Sequence, residues 1–410
     1  MKPLPHQLVK SEECWLLLKE LGYVYLAGMP RSGKTLTAIL TAEKSTVIKN
    51  VLVITKLKAI PGWHKFTQNR NLGLKHNYTV TNYEQVKKLS GDYYDLIIID
   101  ESHNLGTLGK PSLRIKTIKE KFYKLPHINL SGTAIVESPN GIYHQMALSV
   151  FTPFKHKNFY DFFREFGKPY YIKAGGREIT QYDKCDLEKL LPIINSFTVY
   201  MTQEDAGISK EHQAVDKLHF VELNEQTKKL YNELQEHQIA DVWENMFNVL
   251  GKPAISPLLV CDTTMKLRTS LHMLESGVAK IGNNYLDLGN NEKIDYILET
   301  FGDTKDTGIM CHFIGEQIKL EKVFKNATIY SSTSHAEGVD LSHLTNFVIL
   351  SNNYSGSKFI QRKDRIINTN GSNTTTVHHI LVKKAISEQV YNTVSKKEDF
   401  NNSTYVQEKL

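Results

Sequence analysis

Cysteine is scarce in this chain. Its 410 residues contain four, Cys14, Cys185, Cys261 and Cys311, and none belongs to a C-x-x-C pair. That argues against a zinc site or a thiol–disulfide redox motif and fits reduced thiols in a cytoplasm. Long apolar runs are missing too: none approaches the roughly 20 residues that a membrane helix needs, so no membrane partner is expected. The opening "MKPLPHQLVK" has no apolar secretory segment ahead of a cleavage site. The expected setting is cytoplasmic, in a prokaryote or in a host cytoplasm. Internal repeats and long low-complexity segments are absent. What is present is ordinary for a soluble globular protein, with 40% hydrophobic and 23% charged residues. The length has room for two or three domains of roughly 100–200 residues each.

The net charge of +6 is unevenly placed. Residues 1–200 carry 28 Lys and Arg against 17 Asp and Glu, whereas residues 201–410 carry 22 against 27. A basic half fits a polyanion such as nucleic acid, whose binding rests largely on phosphate neutralisation. Lysines solvated on helix faces would give the same count.

Strands and helices alternate in the first half. "YVYLAG", "NVLVITK", "YDLIIIDES" and "HINLSGT" read as strands, and "HQLVKSEECWLLLKEL" and "TLTAILTAEK" as helices. Continuous apolar strands between helices indicate a parallel sheet covered on both faces. From about 140 to 285 the pattern is helical, in "GIYHQMALSVF", "NFYDFFREFG" and "NEQTKKLYNELQEHQIADVWENMFNVL", with "KPYYIKAGGREITQY" reading as a hairpin or a surface turn. Alternation returns in "NEKIDYILETF", "TGIMCHFIGEQIKLEKVF", "ATIYSS", "NFVILSN" and "TTVHHILV". The expectation is an α/β chain with a first lobe over 1–150, a helical region over 151–285 with a junction near 200, and a second lobe over 286–410.

The stretch "AGMPRSGKTLTAIL" fits G-x-x-x-x-G-K-[ST] with Gly28, Gly33, Lys34 and Thr35. The glycines let backbone N–H groups curl around phosphate oxygens, and the helix that follows directs its positive end at them. Lys34 places a cation against the β/γ-phosphates, and Thr35 offers a hydroxyl to Mg²⁺. Arg31 and Ser32 lie inside the loop and are counted with the phosphate-binding set. "LIIIDESH" supplies the carboxylates such a loop requires. Asp100 is expected to hold Mg²⁺ and Glu101 to orient and deprotonate the attacking water. Hydrolysis of a nucleoside triphosphate follows, with ATP as the expected one.

"DESH" resembles the D-E-x-H box of superfamily-two helicases and translocases, and other blocks follow in that family's order. "LPHQ" resembles the glutamine motif, in which Gln7 would read adenine, since an amide can both donate to and accept from a base edge. "VLVITKLKAIPGWHKF", with Trp63, and "TVTNYEQV" resemble blocks of the Swi/Snf-type branch. "LSGTA", with Ser131, Gly132 and Thr133, matches the S/T-G-T motif. "SFTVYMTQEDAG" is similar to the branch's junction without its arginines, and "VELNEQTKKLYNEL" to its Gln/Tyr helix, with Gln226 and Tyr231. "SSTSHAEGVDLS" resembles motif five, with Gly338 and Asp340 matching. "FIQRKDRI" resembles motif six, with Gln361 and Arg365 matching and Arg362 beside them. Two departures stand out: Asn368 occupies the second arginine position, and "HAEG" replaces a glycine pair.

The resemblance implies two RecA-like parallel-sheet lobes with helical insertions between them. It implies an ATP-dependent DNA helicase or translocase on duplex or branched DNA, similar to compact phage-type helicases of replication, recombination or repair. Binding would be to the phosphate backbone, with weak sequence specificity. Catalysis would use Glu101, Lys34, Gln361 and Arg365 as arginine finger, coupled to lobe closure; a monomer is compatible with this. A nucleotide-switched clamp on DNA or protein, or an RNA helicase, remains open. So do some roles: His103 either links the hydrolytic site to the S/T-G-T motif or is a loop histidine. Lys56, Lys58 and Lys65 contact phosphate or are solvated. Trp63 packs against the sheet rather than on a base, and His378 and His379 are core or surface rather than metal ligands.

Overall fold

The apolar runs of the first half become strands. In the computed structural model these are β1 (Tyr23–Gly28), β2 (Asn50–Thr55), β3 (Asn77–Asn82), β4 (Leu96–Ile99) and β5 (His127–Ser131). The structure describes residues 2–132, 139–174, 177–207, 214–242, 258–332, 341, 344–356, 359, 376–396, 400 and 405–407. A hairpin of β6 (Tyr170–Ala174) and β7 (Arg177–Gln181) follows, then β8 (Thr198–Met201). Without the hairpin, the strands form one sheet of order β3-β2-β4-β5-β1-β8. Every neighbouring pair in it is parallel.

Parallel neighbours need crossovers, and helices supply them. After α1 (Pro5–Leu21), which precedes β1, they are α2 (Lys34–Glu43), α3 (Ile60–Thr67), α4 (Leu113–Phe122), α5 (Ile142–Met146), α6 (Phe159–Phe166) and α7 (Leu187–Asn195). Alternate residues of β1 enter opposite cores. Val24 and Leu26 pack with Leu18, Ile39 and Trp63, whereas Tyr23 and Tyr25 pack with Phe159, Phe162 and Phe197. The second core exists because α6 repeats phenylalanine at 159, 162, 163 and 166, which lines one helix face.

By its internal contacts the chain divides into two units, Met1–Ser209 and Lys210–Leu410. The second contains β9 (Val215–Phe220), the antiparallel pairs β10 (Ile239–Asp241) with β11 (Leu258–Val260) and β12 (Val278–Ile281) with β13 (Asn284–Asp287), and then β14 (Thr307–Cys311), β15 (Thr328–Ser331), β16 (Asn346–Ile349) and β17 (Thr376–Leu381). Its main sheet, β15-β14-β16-β17-β9, is also parallel throughout. The helices are α8 (Glu225–His237), α9 (Thr264–Leu274), α10 (Glu292–Phe301), α11 (Ile314–Val323) and α12 (Ile386–Val394). Ile309, Val348 and Ile380 of the sheet pack with Ile294, Ile297 and Leu320 of α10 and α11. Among the described residues no helix is long and apolar enough to cross a membrane.

The expected class, α/β with two RecA-like parallel-sheet lobes, is the one the chain adopts. The segment 151–285 divides between the units, because β8 adds to the first sheet beside β1 and β9 to the second beside β17. Neither strand announced itself as one in the sequence. The helix expected over "NEQTKKLYNELQEHQIADVWENMFNVL" ends at His237, where Gln238 turns left-handed at φ 59° and β10 begins. A β-branched residue and a partner strand there prevail over local helix propensity. "GIYHQMALSVF" is α-helical only over Ile142–Met146.

Candidate active site

β1 is buried along its whole length and delivers the chain to Met29, whose N–H donates to Met201 O of β8 at 2.8 Å. The loop closes on itself through Ser32 N–H to Met29 O at 3.1 Å. Arg31 lies at φ 66° and Gly33 at φ 87°. The positive φ favours glycine at Gly33, and both ends of the loop are closely approached by side chains. A β-carbon on Gly33 would fall 2.1 Å from Gln7 Nε2, and one on Gly28 would fall 2.9 Å from Ser32 Oγ. α2 then starts with no side-chain cap, which leaves its first N–H groups for an anion. Ser32 Oγ is fully buried without a hydrogen-bond partner. Thr35 lies in the first turn of α2, half-buried. A cradle that excludes side chains, an uncapped helix start and an orphaned hydroxyl are what a bound phosphate would complete.

Lys34 Nζ lies 3.4 Å from Glu101 Oε1. This pairing links α2 to the end of β4 across β5, the strand that separates β1 from β4. The end of β5 joins them: a β-carbon on Gly132 would stand 3.8 Å from Lys34 Nζ. Glu101 itself is held left-handed at φ 51°, a conformation that costs energy in a non-glycine residue and persists where surroundings impose it. Asn104 Nδ2 donates to its carbonyl at 2.7 Å.

Asp100 is buried and oriented by three donors. Thr55 Oγ1 donates to Oδ2 at 2.8 Å, Trp63 Nε1 donates to the same oxygen at 2.9 Å, and Glu101 N–H donates to Oδ1 at 3.1 Å. Burial pushes its carboxyl above the usual carboxylate range and the Glu101 charge adds to this, while Lys34, Trp63 and Thr55 oppose the rise. Tyr83 OH donates to Asp100 O at 2.6 Å, so both main chain and side chain are fixed.

His103 is half-buried, and its Nδ1 lies 3.0 Å from Ser131 Oγ and 3.4 Å from Glu101 Oε2. Burial pushes its pKa down to about 4, with Lys56 and Lys34 adding to the fall and Glu101 opposing it. Of the two readings open in the sequence, the geometry is that of a link between the carboxylate pair and the S/T-G-T segment. Gln7 is buried against the loop: its Oε1 accepts from Leu4 N–H at 2.9 Å and its Nε2 donates to Gly33 O at 3.4 Å.

Three site neighbours, His6, Gln203 and Thr55, escaped sequence reasoning, and so did the polar role of Trp63. His6 Nε2 donates to Ser32 O at 2.9 Å, and Gln203 Nε2 donates to Pro30 O at 3.4 Å. Thr55 carried a signal, a lone hydroxyl ending an apolar strand, and so did Trp63, on the helix after that strand. Trp63 is buried as expected, but its indole N–H has a polar task as well. Lys58 and Lys65 are exposed. In the second unit His378 Nδ1 lies 2.9 Å from His219 Nε2, and His379 is fully buried. Gln226 is exposed, while Tyr231 is buried with its hydroxyl accepting from Ile386 N–H at 3.1 Å. Thr133, Gly338, Asp340, Gln361, Arg362, Arg365 and Asn368 lie outside the described residues.

Fold and cradle together define a RecA-like α/β protein of the P-loop type. Residues 12–269 match the SNF2-related domain family, and the chain belongs to that family. No curated protein matches it. Among solved structures it is similar to the Sulfolobus solfataricus SWI2/SNF2 ATPase core in complex with dsDNA, at 17% identity over 97% of this chain and 91% of that one, with a TM-score of 0.42. A second Sulfolobus solfataricus SWI2/SNF2 ATPase core domain gives 16% identity, 97% and 89% coverage, and a TM-score of 0.41.

Proposed function

We propose that this chain hydrolyses ATP and uses the cycle to move on DNA, as a translocase or helicase of duplex or branched DNA. The observation that carries the reading is the Lys34–Glu101 contact at 3.4 Å, with Asp100 adjacent and the glycine cradle around Lys34. Before substrate binds, the two groups a triphosphate would separate neutralise each other. Lys34 then turns to the β/γ-phosphates, and Glu101 is freed to take a proton from the attacking water. His103, neutral at physiological pH, orients Glu101 and carries its position to Ser131.

Mg²⁺ would supply charge neutralisation on the phosphates. Among the described residues no cluster of three or more His, Cys, Asp and Glu forms a metal site. Thr35 and Asp100 would therefore hold the ion jointly with phosphate oxygens, the usual arrangement for this cation. Gln7 retains one N–H and one lone pair beyond its main-chain bonds, and an adenine edge would use both. The resemblance of "FIQRKDRI" supports Arg365 as the arginine finger, with Gln361 and Arg362 beside it, and that of "HAEGVDLS" supports Gly338 and Asp340 in nucleotide contact. Family membership and the basic first half support DNA as the partner.

The test is ATP turnover with single-stranded DNA, duplex DNA, forked DNA and RNA, alongside displacement of a third strand from a triplex. DNA-stimulated turnover with triplex displacement is expected. Stimulation by RNA alone would sink the DNA reading, and DNA binding without displacement would leave a clamp. Lys34→Ala should abolish turnover while the melting temperature stays within a few degrees.

A further inference from the structure

The carbonyls of the phosphate loop are held by side chains from two separate segments. His6 Nε2 donates to Ser32 O at 2.9 Å, Gln7 Nε2 to Gly33 O at 3.4 Å, and Gln203 Nε2 to Pro30 O at 3.4 Å. A planar trans peptide sets its N–H opposite its C=O. A carbonyl gripped from outside therefore turns the amide of the next residue toward the inside of the loop. With Arg31 and Gly33 both at positive φ, successive amides of this kind form an anion-binding concavity. Ser32 Oγ, fully buried without a hydrogen-bond partner, belongs to the same loop. The outer donors thus shape a phosphate site without touching the phosphate.

Gln203 comes from the far end of the first unit. It follows β8, whose last residue Met201 accepts Met29 N–H through its carbonyl at 2.8 Å. The residues after β8 close a turn. Thr202 N–H donates to Asp205 Oδ2 at 2.7 Å, Asp205 N–H donates to Thr202 Oγ1 at 3.1 Å, and Gly207 N–H donates to Glu204 O at 2.9 Å. Thr202, Glu204, Asp205 and Gly207 are exposed, whereas Gln203 is only 8% exposed. An apolar side chain would anchor such a turn at less cost, since burying an amide is unfavourable unless it is hydrogen-bonded. The buried amide instead reaches a loop carbonyl. The Thr202 N–H holds the Asp205 carboxyl below its usual range, and Lys10 and His6 add to this, so the turn also faces the start of α1. The first unit ends two residues later, at Ser209.

We propose that His6 and Gln203 are positioning residues for the phosphate loop, and that Gln203 couples phosphate binding to the order of the turn over 202–207. The inference rests on the nucleotide reading of the loop. A phosphate that fixes the Pro30–Arg31 peptide fixes the amide of Gln203 with it. By reciprocity, a turn pulled away from the loop weakens phosphate binding by the same factor.

The test is displacement of a fluorescent ATP analogue from the full chain by ATP, tripolyphosphate and adenosine, with hydrogen exchange followed in parallel. Gln203→Met and His6→Leu remove the donors. Each should weaken ATP and tripolyphosphate about threefold to tenfold and leave adenosine unchanged, whereas His6→Gln, which keeps a donor, should stay near the parent protein. Tripolyphosphate should slow exchange of the amides in 202–207, and in Gln203→Met it should not, even at saturation. Unchanged tripolyphosphate affinity in both variants overturns the proposal. So does equal weakening of adenosine, which would mark general damage, and so does exchange in the turn that ignores tripolyphosphate in the parent protein. A parent protein that binds neither ATP nor tripolyphosphate overturns the ATPase reading as well; one that binds both while the variants match it overturns this inference alone.

Discussion

Trp63 Nε1 donates to Asp100 Oδ2 at 2.9 Å. The indole belongs to α3, after β2, and the carboxylate ends β4, the neighbour of β2 in the sheet. A residue that looks like core in the sequence thus holds the acid proposed to bind Mg²⁺. Trp63→Phe keeps the packing and removes the donor. Hydrogen bonds to charged groups contribute about 1.5–3 kcal/mol, so turnover should fall roughly tenfold or more. Because that bond lowers the pKa of Asp100, its loss should also move the acid limb of the pH–rate profile to higher pH. A profile unchanged in position would show that the bond serves stability alone.

Gly33 and Gln7 form a second testable pair. Gly33→Ala places a β-carbon 2.1 Å from Gln7 Nε2 at a φ of 87°. The left-handed conformation alone costs about 1–3 kcal/mol, and the clash adds to it. ATP affinity should collapse. Gln7→Ala on the Gly33→Ala background should recover the stability lost to the clash, read in thermal melts without nucleotide, and leave the part due to φ. Additivity of the two changes in a double-mutant cycle would contradict the contact.

Two histidines, His103 and the fully buried His127, make the first unit sensitive to acid. Burial pushes both His103 and His127 down to about 4; Glu101 opposes this at His103, and the Phe122 carbonyl opposes it at His127. In an unfolded chain both titrate near 6.5. Between those values the unfolded chain binds protons that the folded one refuses, so stability rises with pH. The contribution is complete above about 6.5 and is lost as pH falls toward about 4, on the order of 1–3 kcal/mol per histidine. Thermal melts at pH 7.5 and 5 should show the drop, and His127→Gln should reduce its slope. Equal melting temperatures would refute the assignment.

In the second unit Lys293 Nζ and Glu275 Oε2 lie 3.0 Å apart with both side chains fully buried. Ser387 N–H donates to the other Glu275 oxygen at 3.0 Å. Lys293→Met strands a buried carboxylate and should destabilise the unit by about 3–5 kcal/mol. Adding Glu275→Leu should restore most of the loss, since a well-packed apolar pair is often as stable as the ion pair it replaces. Chemical denaturation followed by tryptophan fluorescence and circular dichroism would measure both.

The sequence by itself determined the sheets and the chemistry of the loop. Apolar runs at strand length between helices dictate parallel strands, and Gly28, Gly33, Lys34 and Thr35 at fixed spacing dictate a turn into a helix start. Those are local consequences of backbone freedom and periodicity. Only the tertiary structure decided that Lys34 meets Glu101, that Trp63 and Thr55 share one oxygen of Asp100, and that Gln7 fills the space that alanine at 33 would need. It also decided that Thr198–Met201 and Val215–Phe220 close two different sheets. Each of these depends on strand order, which pairing across long sequence separation sets and no local pattern encodes.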